Sequence, residues 1–504
     1  MVRALTTELT LFNIRLERWH WLLAIGLGVM AATLPPLLVV VALGGIAVGV
    51  AVISQPLIGL ALALVLAPVK AWEEVFIGGP IAAISTGQLM LLFTMGVWLA
   101  RGLARGQILI PRTKLNAPLW IFIGMSAFTV WGAPSVLDGV KELLKWVEMV
   151  FIIWMLLDLT RELRPKTALY GTTIVMLSVG LIQAFWGTWQ FALRGTGPAH
   201  FIIFGRFYRA TASFMQPNPY GGYMTFNLFL AIGLLIGFGM PVWRTVSHEA
   251  GYRKVVALLR KAPYLLLIAG AILLLATGLI GSWSRGSWLN FVFGFVVLIF
   301  FTPRNRQRGA VLIGGGIGFF VLIWGLGLIP PAIEDRLFGF LANFRFQDVT
   351  NVFPTPDNYA ILERIAHWQA AINMAQDRLW TGFGFGNYPV VYDAYRLPFW
   401  EEPLGHAHNI YLNILAEMGV WGLIAYAILW IPIFVYTLRL QRDLQWPERG
   451  LALALLGTWS GMTLHHFLDN LFVNNNFIYL GFMFALLIML QLQVDLREKE
   501  SVQP

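Results

Sequence analysis

"LGHAHNIYLNILAEMGVWGLIAYAILWIPIFVYTL", residues 404–438, opens with two histidines and an asparagine and turns almost wholly apolar within a few helical turns. About 20 apolar residues are enough for an α-helix to cross the hydrocarbon layer of a membrane, and the run from 408 to 438 exceeds that. Working outward, comparable runs lie at 20–34, 36–53, 55–70, 86–104, 117–134, 144–160, 168–192, 220–243, 263–282, 287–302, 309–330, 449–467 and 474–494. The first three are short and punctuated by Pro35, Pro36 and Pro56. The expected fold is therefore an all-α polytopic membrane protein of about 12–14 transmembrane helices.

Composition agrees. Of the 504 residues, 58% are hydrophobic and only 12% charged, against roughly a quarter charged in a soluble domain. The chain has no cysteine, which removes disulfides, thiolate chemistry and cysteine metal sites. Its net charge of +9 comes from short basic clusters between apolar runs, such as Arg101, Arg105, Arg112 and Lys114, or Arg304, Arg306 and Arg308. Such spacing is a topology signal, not a nucleic-acid face. Because basic loops alternate with poorly basic ones, both termini are expected in the cytoplasm.

The organisation read this way is a cytoplasmic amphipathic lead-in at 1–19, helices with short loops at 20–330, a large periplasmic or extracellular loop at 331–407, C-terminal helices at 408–496 and a cytoplasmic tail at 497–504. The large loop contains "DNYAILERIAHWQAAINMAQDRLW", in which Ile361, Ile365, Trp368, Ile372, Ala375 and Leu379 recur at helical spacing. This predicts an amphipathic helix lying on the membrane surface. The glycines at 382, 384 and 386 that follow are read as a turn, because no strand-turn-helix unit surrounds them to make a nucleotide loop.

Three polar stretches fall on the outer side. "RFYRATASFMQPNPYGGY", 206–223, holds Arg206 and Arg209 before a proline-glycine turn. "GSWSRGSWLNF", 281–291, puts Arg285 between two apolar runs with almost no loop, where a cation is expensive and marks a candidate site. His408 begins a helix on which Asn409, Asn413 and Glu417 share an arc that cannot face lipid. Each stretch alone also fits a bland role: arginines reaching lipid headgroups, or a polar seam between helices. Together they bring arginine forks suited to phosphate oxygens and a potential base to one face. Such a site could grip a lipid diphosphate and deprotonate an acceptor hydroxyl, with neither nucleotide sugar nor metal.

These stretches resemble the O-antigen ligase and polymerase family of membrane glycosyltransferases. Ligases of that family carry His, then Asn, Ser, Gln or Thr, nine residues, Gly, two residues, and Gly, Thr or Tyr, a pattern that His408, Asn409, Gly419 and Gly422 fit without a gap. "RATASFMQPNPYGGY", "SRGSW" and "ERIAHWQAAINMAQDRLWTGFGFGNY" resemble further family segments in family order, spanning roughly residues 205 to 480.

The resemblance implies transfer of an O-antigen-like glycan from a polyprenyl-diphosphate carrier to an acceptor hydroxyl, on lipid A core or another acceptor, at the outer face of the bacterial cytoplasmic membrane. By it, His408 is the base and Arg285 and Arg209 bind the diphosphate, with Arg206, His406, Asn409 and Asn218 as supporting substrate-binding residues. The pair His465 and His466, with Asp469, falls at the outer end of the next hairpin. No cofactor and no metal are expected. The alternatives are a polymerase, a protein O-glycosyltransferase or, from another class, a transporter of bicarbonate or another solute.

Overall fold

The computed structural model describes residues 25–26, 28–29, 32–33, 35–78, 84–246, 251–339, 348–355 and 358–502. The expected lead-in at 1–19 and most of the first run at 20–34 lie outside the described residues. The chain divides into two units, Met1–Gly59 and Leu60–Pro504. The first contains α1, Pro36–Ser54, whose side chains are largely exposed and apolar, as a lipid-facing helix requires.

The helices that follow are α2 (Pro56–Leu66), α3 (Lys70–Phe76), α4 (Thr86–Ala104), α5 (Asn116–Val130), α6 (Val136–Thr160), α7 (Pro165–Ala192) and α8 (Pro217–Thr245). After them come α9 (Gly251–Lys261), α10 (Tyr264–Gly281), α11 (Arg285–Phe301), α12 (Arg306–Gly325), α13 (Tyr359–Asp377), α14 (Ile410–Asp443), α15 (Glu448–His465) and α16 (Asn476–Val502). Among the described residues nine helical spans are long and apolar enough to cross a membrane, and α5 and α11 are shorter apolar helices. The only β-structure described is one two-stranded hairpin, Ile202–Ile203 with Phe207–Tyr208. The protein is an all-α polytopic membrane protein. The basic stretch 251–261, read as loop, instead forms the amphipathic α9.

In the larger unit α15 is enclosed by α8, α11 and α14. Small residues let these backbones approach: a Cβ on Gly294 of α11 would overlap the Gly457 carbonyl of α15, and one on Gly450 would overlap that of Gly233 in α8. The turn between α10 and α11 is as tight as the sequence predicts, with Trp283 at φ +51 and Ser284 capping α11 through its hydroxyl.

The large loop departs from expectation. The apolar face of α13 is buried by protein and does not remain available to lipid: Ile361, Ile365, Ala370 and Met374 pack with Tyr388, Tyr392, Trp400, Ala407 and Ala416. Downstream aromatics supply this cover, which the period of α13 alone does not reveal.

The glycine-rich turn then locks onto α14. At Gly419 the helix breaks, with φ +64 and ψ −162, a conformation open essentially to glycine alone. The break frees carbonyls at Ala416 and Glu417, which accept the N–H groups of Phe383 (3.0 Å) and Gly384 (2.7 Å). A Cβ on Gly419 would overlap the Trp380 carbonyl carbon, so the kink and the turn require each other.

Candidate active site

Four connections meet at the end of the bundle where α8, α11 and α14 begin and α10 and α15 finish. All four contain non-glycine residues in the left-handed region: Phe204, Ala212 and Met215; Trp283; Leu404 and His408; Asn474 and Asn475. Left-handed backbone costs free energy and persists where surrounding structure enforces it, commonly at functional sites.

Arg209 follows the β-hairpin, whose backbone is tied to Gly281 through the N–H of Ala210 (2.7 Å). Its Nε donates to the Ser282 carbonyl (2.9 Å) and its Nη2 to Asn218 Oδ1 (3.4 Å). Asn218 Oδ1 also accepts from Ser284 Oγ (2.9 Å), and its Nδ2 donates to Asp469 Oδ2 (3.2 Å). Asp469 Oδ1 lies 3.1 Å from His408 Nδ1. A continuous chain therefore runs Arg209, Asn218, Asp469, His408 across three connections.

The loop before α14 is positioned by the asparagines that the sequence places on one seam. Asn409 is the helix N-cap, its Oδ1 accepting the N–H groups of Tyr411 (3.0 Å) and Leu412 (3.1 Å). Asn413 Oδ1 accepts from the Ala407 N–H (3.0 Å) and holds the loop back onto the helix. Glu417 Oε1 accepts from the Tyr388 N–H (2.9 Å) and serves the glycine-rich turn. His406 Nδ1 accepts the His408 N–H (3.0 Å). His408 Nε2 is buried with no protein partner among the described residues.

These groups line a cavity of about 780 Å³ that includes Arg209, Asn218, Arg364, His406, His408 and Asp469. Its walls also carry Lys70, Glu142, Lys145 and Trp146. Arg364, on α13, donates to the Leu468 carbonyl (3.1 Å), next to Asp469. Arg336 donates twice to the Trp283 carbonyl (3.2 and 2.5 Å).

Four guanidinium groups crowd here. Burial, then the charges of Arg364 and Arg285, push Arg209 down to about 10. Burial, then Arg285, Arg209 and Arg364, push Arg336 down to about 9, partly offset by Asp335. Burial pushes His406 down to about 3, so it is neutral at physiological pH. Burial also pushes the Asp469 carboxyl up, but the His408 hydrogen bond and the charges of His408, His406 and Arg364 outweigh it and hold the carboxyl below its usual range. The result is a cationic region with one carboxylate set against two histidines, 3.1 Å from His408 and 3.8 Å from His406.

Of the residues expected in the site, Arg209, Asn218, His406 and His408 line one cavity and Arg285 stands beside it. Arg206 does not line it; it is exposed, with its guanidinium over the Phe207 ring. Asn409 spends its amide oxygen on the cap, which its place directly before an apolar run signals in the sequence. Arg336 and Arg364 carried no such signal, one lying in a polar loop and the other on a predicted amphipathic helix. His406, His408 and Asp469 also bring three metal-type donor atoms within 4.8 Å of one another. Asp469, however, already meets His408, Asn218 and the Asn470 N–H (2.9 Å) through its two oxygens.

The fold and site define a polytopic membrane protein with one cationic, histidine-bearing cavity at the ends of its helices. Residues 270–427 match the model of the O-Antigen ligase family. The chain is also 26% identical over 340 residues to the general O-oligosaccharyltransferase of Acinetobacter baylyi. That match covers 64% of this chain and 52% of the relative, so it spans about half of that protein's length.

Proposed function

We propose that the protein transfers a glycan from a polyprenyl-diphosphate carrier to an acceptor hydroxyl at the outer face of the bacterial cytoplasmic membrane. The observation that carries this reading is the run Arg209, Asn218, Asp469, His408, which joins an anion-binding group to a potential base inside one cavity. The family match over residues 270–427 and the relative's name, an O-oligosaccharyltransferase, support the same class of reaction.

Arg209 and Arg285, with Arg336 and Arg364, bind the diphosphate and stabilise the charge that grows on it as the bond to the sugar breaks. Asp469 accepts from His408 Nδ1–H, which leaves Nε2 as the basic nitrogen. Nε2 is buried, so the imidazole swings toward the cavity that it already lines as the acceptor enters. The acceptor oxygen loses its proton to Nε2 and attacks the anomeric carbon. The anomeric C–O bond breaks, the polyprenyl diphosphate leaves with the electron pair, and the configuration inverts. No step requires a metal. The acceptor is lipid A core, a protein hydroxyl or a growing polymer.

The test is transfer by the purified, reconstituted protein from a polyprenyl-diphosphate oligosaccharide to lipid A core and to serine-containing polypeptides. We expect His408→Ala to lose at least about 100-fold in rate and Arg285→Ala to lose most transfer, both remaining folded. An active His408→Ala protein would sink the assignment of the base.

A further inference from the structure

At the opposite end of the bundle lies a second cavity, of about 310 Å³, lined by Arg304, Arg306, Gln441, Arg442 and Arg449. The 17 residues of α11 separate it from the first, roughly 25 Å at 1.5 Å per residue. Its floor is built. Arg449, 2% exposed, donates through Nε to the Gln441 carbonyl (2.7 Å) and through Nη2 to the Phe301 carbonyl (3.0 Å). Arg306 Nη1 donates to the same Phe301 carbonyl (3.3 Å) and to that of Pro303 (3.2 Å). Aromatic rings lie against both guanidiniums, Phe301 at 4.3 Å from Arg306 and Trp446 at 4.9 Å from Arg449.

Helix C-terminal carbonyls account for two of these cations, since the end of α11 carries a partial negative charge. They do not account for Arg304 and Arg442, which are exposed on the rim and have no hydrogen bond or ion pair among the described residues. No carboxylate lines the cavity. Glu448, the acid at the start of α15, is fully buried and committed to Lys166 (3.1 Å) and Arg497 (3.0 Å). Asp443 forms no ion pair with any of the four arginines. Four guanidiniums converging without a counter-charge, beside aromatic rings and at the level where the helices end, match the chemistry of a phosphate at a lipid surface.

We propose that this cavity binds the phosphate-bearing headgroup of an anionic phospholipid, and that its four arginines favour a headgroup with two phosphates, as in cardiolipin, over one with a single phosphate. Arg306 and Arg449 form a fixed floor, and Arg304 and Arg442 close over the headgroup from the rim. The aromatic rings meet the first carbons of the acyl chains. The site is independent of the proposed transfer chemistry, and its test reads binding, not activity.

The full-length protein in nanodiscs of phosphatidylcholine is titrated with cardiolipin, phosphatidylglycerol or inorganic phosphate, and bound lipid is counted by native mass spectrometry. The rim variant Arg304→Gln/Arg442→Gln breaks no hydrogen bond and should fold. The control, Arg253→Gln/Arg260→Gln, removes the same charge from α9 without touching the cavity. We expect cardiolipin to bind in preference to phosphatidylglycerol, and its affinity to fall about tenfold or more in the rim variant and little in the control. Equal losses in the two variants would reduce the cluster to a general topology charge and overturn the proposal. Inorganic phosphate that competes at the concentration of lipid phosphate would assign the pocket to a soluble anion and overturn the lipid source.

Discussion

Glu417 and Asp469 are both buried carboxylates near His408, and they do different work. Glu417 lies on α14, two turns past its Asn409 cap, and reaches back to the Tyr388 N–H of the glycine-rich turn. Asp469 lies 61 positions away in sequence and meets the imidazole itself. Helical periodicity brings Glu417 to mind first, because it shares an arc with Asn409 and Asn413, next to His408. The helix, however, is capped at Asn409 and broken at Gly419, so the seam holds loops in place while a separate connection brings the carboxylate to the histidine. The periodic seam builds the scaffold, and a non-local contact completes the site.

The sharpest way to break this comparison is a pair of isosteric changes. Asp469→Asn removes the charge that orients His408 and balances its protonated form. We expect the rate of transfer to fall about 100- to 1,000-fold, with little change in donor KM. Glu417→Gln keeps an oxygen that can accept from Tyr388 N–H, so transfer should stay within about threefold and stability within about 1 kcal/mol. Rate measurements alongside thermal unfolding distinguish the two. The reverse order of effects would make the helix seam the catalytic element.

Next in size are the arginines. Arg364→Ala and Arg336→Ala should each weaken use of the diphosphate donor about 10- to 100-fold, since a charge-assisted hydrogen bond contributes roughly 1.5–3 kcal/mol. Arg206→Ala, outside the cavity, should leave donor KM within about twofold. A kinetic series over donor concentration checks all three. A large effect at Arg206 with none at Arg364 would move the diphosphate site to the β-hairpin.

The same contrast explains what could be read in advance. The membrane runs within the described residues, the tight turn around Arg285 and the helix in the large loop are local patterns, and each has its helix or turn in the fold. The cover over α13, the roles of Arg336 and Arg364 and the bond from His408 to Asp469 depend on segments that meet only after folding. Asn409 was legible as a cap, but its neighbours made it look like a ligand.

Acidification should produce a moderate effect on stability. Burial, followed by the charges of His408 and His406, pushes His367 down to about 3, and His406 has a similarly low value. Both sit well below the ordinary histidine value of 6.5. Below pH 6.5 the unfolded chain takes up protons that the folded loop refuses, so stability falls as pH falls. At pH 5 the loss is about 2 kcal/mol for each histidine. Asp469, held low, contributes only below the usual carboxylate range. Thermal unfolding from pH 7.5 to 5 should therefore show a falling midpoint, with a shallower fall in His367→Phe.

The smallest expected effect is that of chelation. A metal at His406, His408 and Asp469 would need one nitrogen from each histidine and an oxygen of a carboxylate that already meets His408, Asn218 and Asn470. His406 Nδ1 is itself occupied by the His408 N–H, which leaves Nε2, 3.8 Å from Asp469 Oδ1, as its open nitrogen. Both Asp469 oxygens are already engaged by hydrogen bonds, so treatment with EDTA and dialysis should leave transfer within about twofold. Activity lost to the chelator and restored by one divalent cation would mean that Asp469 serves a metal, not a base. The contrast between Asp469 and Glu417 would then separate a ligand from a clamp.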